Sequence, residues 1–250
     1  MGKKVLIAGE SWMTTSTHVK GVDEFTVHSY VEGVGPLKDA LTSRGHEVVH
    51  MPAHLVPTRF PGTGEALSEF DVVVLSDIGA NSIQLAPGVF DRFEAGEDRL
   101  AALQDWVGEG GGLMMIGGYL SFSGFQARAA FRQTALAEVL PVTMLPEDDR
   151  VETPAGMVPE VLDASHAAVG GSGSDWPALL GYNRVVPKDG VAVPAAINGD
   201  PLVAVGDYKK GRSAVFTSDC SPHWAPPEFC EQWPGYTDLF DGLVTWVASA

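Results

Sequence analysis

The sequence is poor in cysteine, in basic residues and in long apolar runs, and each shortage excludes something. Its two cysteines, Cys220 and Cys230, are too few for a disulfide framework or a structural zinc site, so reduced thiols in the cytoplasm are expected. Lys and Arg total 16 against 32 Asp and Glu, a formal net charge of -16. Nucleic acid and anionic membrane surfaces would repel such a chain, so neither is expected as a partner. No uninterrupted apolar stretch reaches the roughly 18 residues of a membrane span. The N-terminal run Val5-Leu-Ile-Ala8 is too short for a signal-peptide core and reads as a strand. Short cofactor signatures are missing too. There is no G-x-x-x-x-G-K-[ST], no G-x-G-x-x-G after the first strand and no H-E-x-x-H. His18, Asp77, Asp219 and His223 show no ligand spacing. No metal and no cofactor is therefore expected.

What is present is an alternation of strands and helices. Val5–Ala8, Glu47–Met51, Phe70–Ser76 and Leu113–Ile116 read as short apolar strands of the kind buried on both faces. Between them, Tyr30, Val34, Leu37 and Leu41 recur at helical spacing up to Gly45, with Pro36 inside as a candidate kink. Leu100, Leu103, Trp106 and Val107 form a second helical stripe, stopped by Gly110-Gly-Gly112. The second half is less regular. Thr134–Leu140 reads as helix. Val191–Ile197, Leu202–Val205 and Ser213–Thr217 read as strands, the last two joined by a turn at Tyr208–Arg212. An amphipathic helix carries Leu239, Leu243 and Val247. The segments Glu10–Ser29 and Pro146–Trp176 read as a polar stretch and a long excursion. This pattern predicts one α/β domain over residues 1–250, an open, mostly parallel sheet with helices on both faces, flavodoxin-like in class.

In such a sheet, ligands bind beyond the carboxyl ends of the strands. After the first strand come Glu10, Trp12 and His18; after the third, Asp77 and Asn81; after the fourth, Gly118, Tyr119 and Ser121; after the late strand, Asp219, Cys220, His223 and Trp224. Tyr119, His223 and Asp77 are the candidate catalytic groups, and the rest are candidate ligand contacts. Each has a plainer role open to it. Asp77 caps a turn, His223, Trp12 and Trp224 pack, and Cys220 is an inert buried thiol.

At Gly117-Gly-Tyr-Leu-Ser121 the chain resembles class I glutamine amidotransferases, whose nucleophilic cysteine sits on a sharp strand-to-helix turn in a pattern like Gly-x-Cys-x-Gly. Tyr119 stands in the place of the cysteine and Ser121 in that of the second glycine. A phenol with pKa about 10 is a poor acyl-transfer nucleophile. The late His-Pro-Glu of those enzymes is replaced by Ser221-Pro-His-Trp224, with Glu228 further on. Over most of its length the chain resembles a group of bacterial cytoplasmic proteins of the glutamine amidotransferase-like family, through Ser76–Asn81, Met115–Phe122, Leu140–Val142, Asp148–Glu152, Leu180–Asn183 and Ser218–Trp224. The stretch Asp200–Arg212 is also similar to trehalose-utilisation-like domains.

The resemblance implies a cytoplasmic protein that keeps the amidotransferase fold without its nucleophile. The expected activity is binding or transformation of a small polar, carbohydrate-derived metabolite, by a homo-oligomer. A hydrolase using Cys220 or Ser121 with His223, and a non-catalytic scaffold or regulatory subunit, are the alternatives. Against Cys220 as nucleophile stands the adjacent Asp219, since a carboxylate raises a thiol's pKa.

Overall fold

The computed structural model describes residues 2–249. In chain order the strands of its first half are β1 (Lys4–Gly9), β2 (Ser11–Lys20), β3 (Asp23–Glu32), β4 (Glu47–Met51), β5 (Val72–Ser76) and β6 (Gly112–Ile116). Those of the second half are β7 (Val142–Met144), β8 (Arg150–Met157), β9 (Glu160–Val161), β10 (Leu179–Asn183), β11 (Val185–Pro187), β12 (Ala192–Ile197), β13 (Asp200–Tyr208) and β14 (Gly211–Phe216). Eight of them form one sheet in the order β4-β1-β5-β6-β14-β13-β12-β9. The first five are parallel neighbours. From β14 onward the pairing is antiparallel. The parallel part therefore has the 2-1-3-4-5 order of flavodoxin-like folds, whose switch point lies between β1 and β5.

Side-chain alternation along the central strands divides the core in two. Val5 and Ile7 of β1 and Val72 and Val74 of β5 pack with Leu37, Leu41, Leu239 and Leu243, from helices Gly35–Ser43 and Gly235–Val247. Leu6, Ala8, Val73 and Leu75 point the other way, onto Leu100 and Leu103 of helix Arg99–Gly108. Burial on both faces explains why these strands read as continuous apolar runs.

Five local expectations are corrected. The polar stretch after β1 is a hairpin: β2 and β3 pair over ten residues each, from Ser11 opposite Glu32 to Lys20 opposite Asp23. Tyr30 belongs to β3 and not to the following helix, which begins at Gly35. Pro36 sits in its first turn, where no backbone N–H is needed, and bends nothing. Thr134–Leu140 contains a single turn, Leu136–Val139. The excursion Pro146–Trp176 holds β8 and β9, and β8 pairs with β10 beneath the carboxyl edge of the sheet. Among the described residues no helix is long and apolar enough to cross a membrane.

Candidate functional site

The carboxyl ends of β1, β5, β6 and β14 open into a cleft of about 300 Å³ lined by Glu10, Trp12, Asp77, Tyr119, Asp219, Ser221, Pro222 and His223. A wider groove of about 680 Å³, between helix Gly35–Ser43 and the segment around Trp233, receives none of these strand ends. The cleft brings together two residues of unusual backbone and two raised carboxyls. Glu10 and Asp77, one residue beyond β1 and β5, have φ of 48° and 42°. A left-handed conformation at two side-chain-bearing residues, side by side at the switch point, is strain that the surrounding structure must hold.

Glu10 is buried and receives two hydroxyl hydrogen bonds: Ser76 Oγ donates to Oε2 at 2.5 Å and Ser221 Oγ to Oε1 at 2.6 Å. Burial, and then the nearby Asp219 carboxylate, push its pKa from 4.5 up to about 8, so it is mostly neutral at pH 7. Gly33, at the end of the hairpin, backs onto it. A Cβ there would lie 2.7 Å from Glu10 Oε1 and 3.1 Å from the Trp12 ring. Asp77 is raised to about 6, first by burial and then by Asp219, against the pull of the backbone N–H of Leu120. His223 Nδ1 lies 3.4 Å from Asp219 Oδ2. That contact raises its pKa and favours the imidazolium.

The turn after β6 departs from an amidotransferase elbow in three ways. No α-helix follows it; the chain runs through irregular structure with 3₁₀ turns at Phe125–Ala127 and Phe131–Gln133. The positive φ falls on Gly118, at 146°, and not on Tyr119. The N–H of the residue after Tyr119, which would face an oxyanion, is already occupied: Leu120 N donates to Asp77 Oδ1 at 2.7 Å, while Gly118 N donates to Asn183 Oδ1 at 2.9 Å. Tyr119 itself is a wall. Its hydroxyl donates to Glu152 Oε1 at 3.0 Å, and its ring lies 4.5 Å from that of His223 and 4.6 Å from the Arg150 guanidinium. Burial and the Glu152 carboxylate raise the phenol's pKa further above 10.

Of the other sequence candidates, Ser121 is buried under the cleft and accepts from Asp77 N at 3.2 Å. Trp224 is buried behind Tyr119, its Nε1 donating to Glu152 Oε2 at 3.0 Å. Cys220 is fully buried beneath the cleft floor, 3.5 Å from Ser76 Oγ and 3.6 Å from Glu10 Oε2. Desolvation first, then Glu10, hold its thiol well above the ordinary value. Ser221–His223 forms a turn and not the start of a helix; the helix there is Pro227–Cys230. No helix N-terminus therefore activates the sulfur. Two candidates lie elsewhere. His18 is out on the hairpin, stacked on Phe25 at 4.8 Å. Asn81 is exposed on the short helix Ala80–Gln84.

The sequence reading missed Glu152, Arg150 and Ser221. Ser221 lay within a segment already singled out. Glu152 and Arg150 arrive from β8, whose position against β10 no local pattern announces. Among the described residues one donor group has metal-like proximity: atoms of Glu10, Asp219 and Cys220 lie within 4.8 Å of one another. The fit is poor. Both Glu10 oxygens are taken by hydroxyl donors, the thiol is held protonated, and all three residues are buried.

No curated protein matches the chain. Among solved structures it is similar to two cytoplasmic proteins of Salmonella typhimurium. STM3548 is 44% identical, with 97% of this chain and 98% of that one covered and a TM-score of 0.94. STM1381 is 46% identical, with 98% and 99% covered and a TM-score of 0.93. A ThuA-like protein from Parabacteroides merdae, 14% identical over 100% and 91% of the two chains with a TM-score of 0.56, shares the fold. Residues 4–249 match the family model described as "Putative glutamine amidotransferase", and the chain belongs to this glutamine amidotransferase-like family.

Proposed function

We propose that the chain binds a small, hydroxyl-rich polar metabolite in the strand-edge cleft and has no glutaminase activity. The observation that carries this is the place of Asp77. Its carboxylate accepts the Leu120 N–H at the turn where an amidotransferase would bind an oxyanion, beside a tyrosine in place of the thiolate. An acyl-transfer site needs a nucleophile and free donors; Tyr119 in the nucleophile's place and the Asp77 carboxylate on the Leu120 N–H both speak against one. What remains suits a different ligand. Beside the mostly neutral Glu10, whose oxygens are held by Ser76 and Ser221, the Asp77 carboxylate and the Asp219–His223 pair offer donors and acceptors within one small volume, while Trp12 and Tyr119 give apolar faces. Carboxyls and aromatic faces together suit a polyol or sugar, and they disfavour an anion. The Cys220 form of the hydrolase alternative is weakened by the same geometry, because that thiol is fully buried beneath the cleft floor.

Thermal unfolding in the presence of neutral sugars and polyols, amino acids and sugar acids tests the reading. A ligand at 100 times its dissociation constant stabilises the native state by about 2.7 kcal/mol. Neutral polyhydroxy compounds are expected to raise Tm, and Trp12→Ala to abolish the shift. Release of ammonia from glutamine above that of a Tyr119→Ala control would overturn the proposal.

A further inference from the structure

From Trp12 to Glu32 every residue of the β2–β3 hairpin is exposed. The hairpin is its own two-stranded sheet, with both outer edges unpaired. Its ten-residue strands reach about 33 Å. A free two-stranded ribbon is at best marginally stable in water, and this one is not built as a solvated loop. Trp12 opposite Val31, Thr14 opposite Ser29, Ser16 opposite Val27, His18 opposite Phe25 and, at the tip, Lys20 opposite Asp23 are alternate pairs of the register and share one face. On that face Phe25 and Val27 are each 46% exposed and Trp12 and Val31 each 39%. Formal charge is confined to the tip, at Lys20, Asp23 and Glu24, and to Glu32 at the base. The base is anchored: Gly33 N donates to Glu10 O at 2.9 Å, and Ala53 N to Ser11 Oγ at 2.8 Å. The hairpin is thus a fixed arm on which exposed Trp12, Phe25, Val27 and Val31 stand among Thr, Ser and His, with charge only at its ends.

We propose that this arm docks on a second copy of the chain, each copy giving one arm and receiving one in a closed assembly. Size favours a second copy over an unrelated protein. A ribbon about 33 Å long and about 10 Å wide buries about 330 Å² of itself and as much of its partner, about 650 Å² per arm. One arm alone falls short of the roughly 1,200 Å² of a stable interface, whereas two arms exchanged within a closed assembly reach about 1,300 Å². Charge disfavours other classes of partner. The chain's net charge of -16 repels nucleic acid and anionic bilayers. An arm whose formal charges sit only at its tip and base can still lie against an acidic copy of the same chain.

Sedimentation velocity of the full chain between about 1 and 100 µM, a range that spans micromolar dissociation constants, tests the proposal. Two variants accompany it. In one, residues 14–29 are replaced by Asn-Gly, joining Met13 to Tyr30, which already face each other in the register. The other is Phe25→Lys with Val27→Lys, two exposed positions whose change leaves the core intact. The wild type is expected as a dimer or larger closed oligomer and both variants as monomers, with far-UV circular dichroism confirming that the domain remains folded. A monomeric wild type overturns the proposal. So does an oligomer that survives shortening of the arm, or a monomer that sediments with anionic vesicles.

Discussion

Glu10 is the residue whose chemistry the fold alters most. Its pKa of about 8 lies above the ordinary 4.5, so the folded state holds a proton that the unfolded chain has lost between those two values. Stability is fully present below about pH 4.5 and falls as pH rises toward 8, by an amount on the order of 4 kcal/mol. Asp77, raised to about 6, and His223, raised through Asp219, act in the same direction. Tm is therefore expected to fall from pH 5.5 to pH 8. Glu10→Gln, which can keep both serine partners, should flatten that slope and match or exceed the wild type at pH 8. An unchanged slope in thermal melts of the variant would refute the neutral Glu10. Cys220 gives the second prediction at this scale. With Cys230→Ser as background, alkylation of the native protein at pH 7.5 should be slow, with or without His223→Ala, because the thiol is buried and no imidazole reaches it. Fast modification that His223→Ala abolishes would restore the hydrolase reading. Much of this site was legible, because Glu10, Asp77, Tyr119 and Asp219 each follow a strand that could be read from its apolar run. His18 was not placed correctly, since sequence proximity to β1 says nothing about a hairpin that carries it away.

Elements that are buried on both faces announced themselves, and those that are not did not. β1, β5 and β6 are runs of Val, Leu, Ile and Met because no side of them meets water. The β2–β3 hairpin meets water on both faces, so its strands mix Thr, Ser and His with isolated apolar residues, and period-2 burial is not imposed on them. Tyr30 then fell by chance into the helical spacing of Val34, Leu37 and Leu41. β8 and β10 pair across an intervening turn-rich segment, a non-local arrangement with no sequence signature. Where elements converge, glycine is decisive. A Cβ on Gly117 would be driven into the carbonyl oxygen of Thr217, a backbone atom of the adjacent chain segment. Gly117→Ala is expected to destabilise by about 2–4 kcal/mol in urea denaturation, as overpacking against backbone does. Gly35→Ala, where a Cβ meets nothing within 4 Å, is the control and should change stability by less than about 1 kcal/mol. Equal effects at the two positions would mean that crowding at the β6–β14 exit is not the cause.

The molecule as a whole carries 32 acidic and 16 basic side chains, and that excess sets how it responds to salt. Ion pairs do exist on its surface, such as Lys4 with Glu47 at 3.5 Å, Arg184 with Asp200 at 3.0 Å and Arg212 with Asp207 at 3.0 Å. Exposed pairs of this kind contribute roughly 0–1 kcal/mol each, and salt weakens them. Against them stands the mutual repulsion of the unmatched carboxylates, which acts over longer distances. At about 10 mM salt the screening length is about 30 Å, comparable to the whole domain, and at physiological strength it shrinks to about 8 Å. Screening therefore removes more long-range repulsion than short-range attraction. Tm at pH 7.5 is expected to rise between about 10 and 300 mM salt, by on the order of 1 kcal/mol or about 2–4 °C for a chain of this size. Sodium and potassium chloride should act alike, because the effect is screening and not specific cation binding. The same term opposes contact between copies, so salt in this range should also strengthen self-association through the arm. A Tm that falls with salt would show that the surface ion pairs outweigh the net charge.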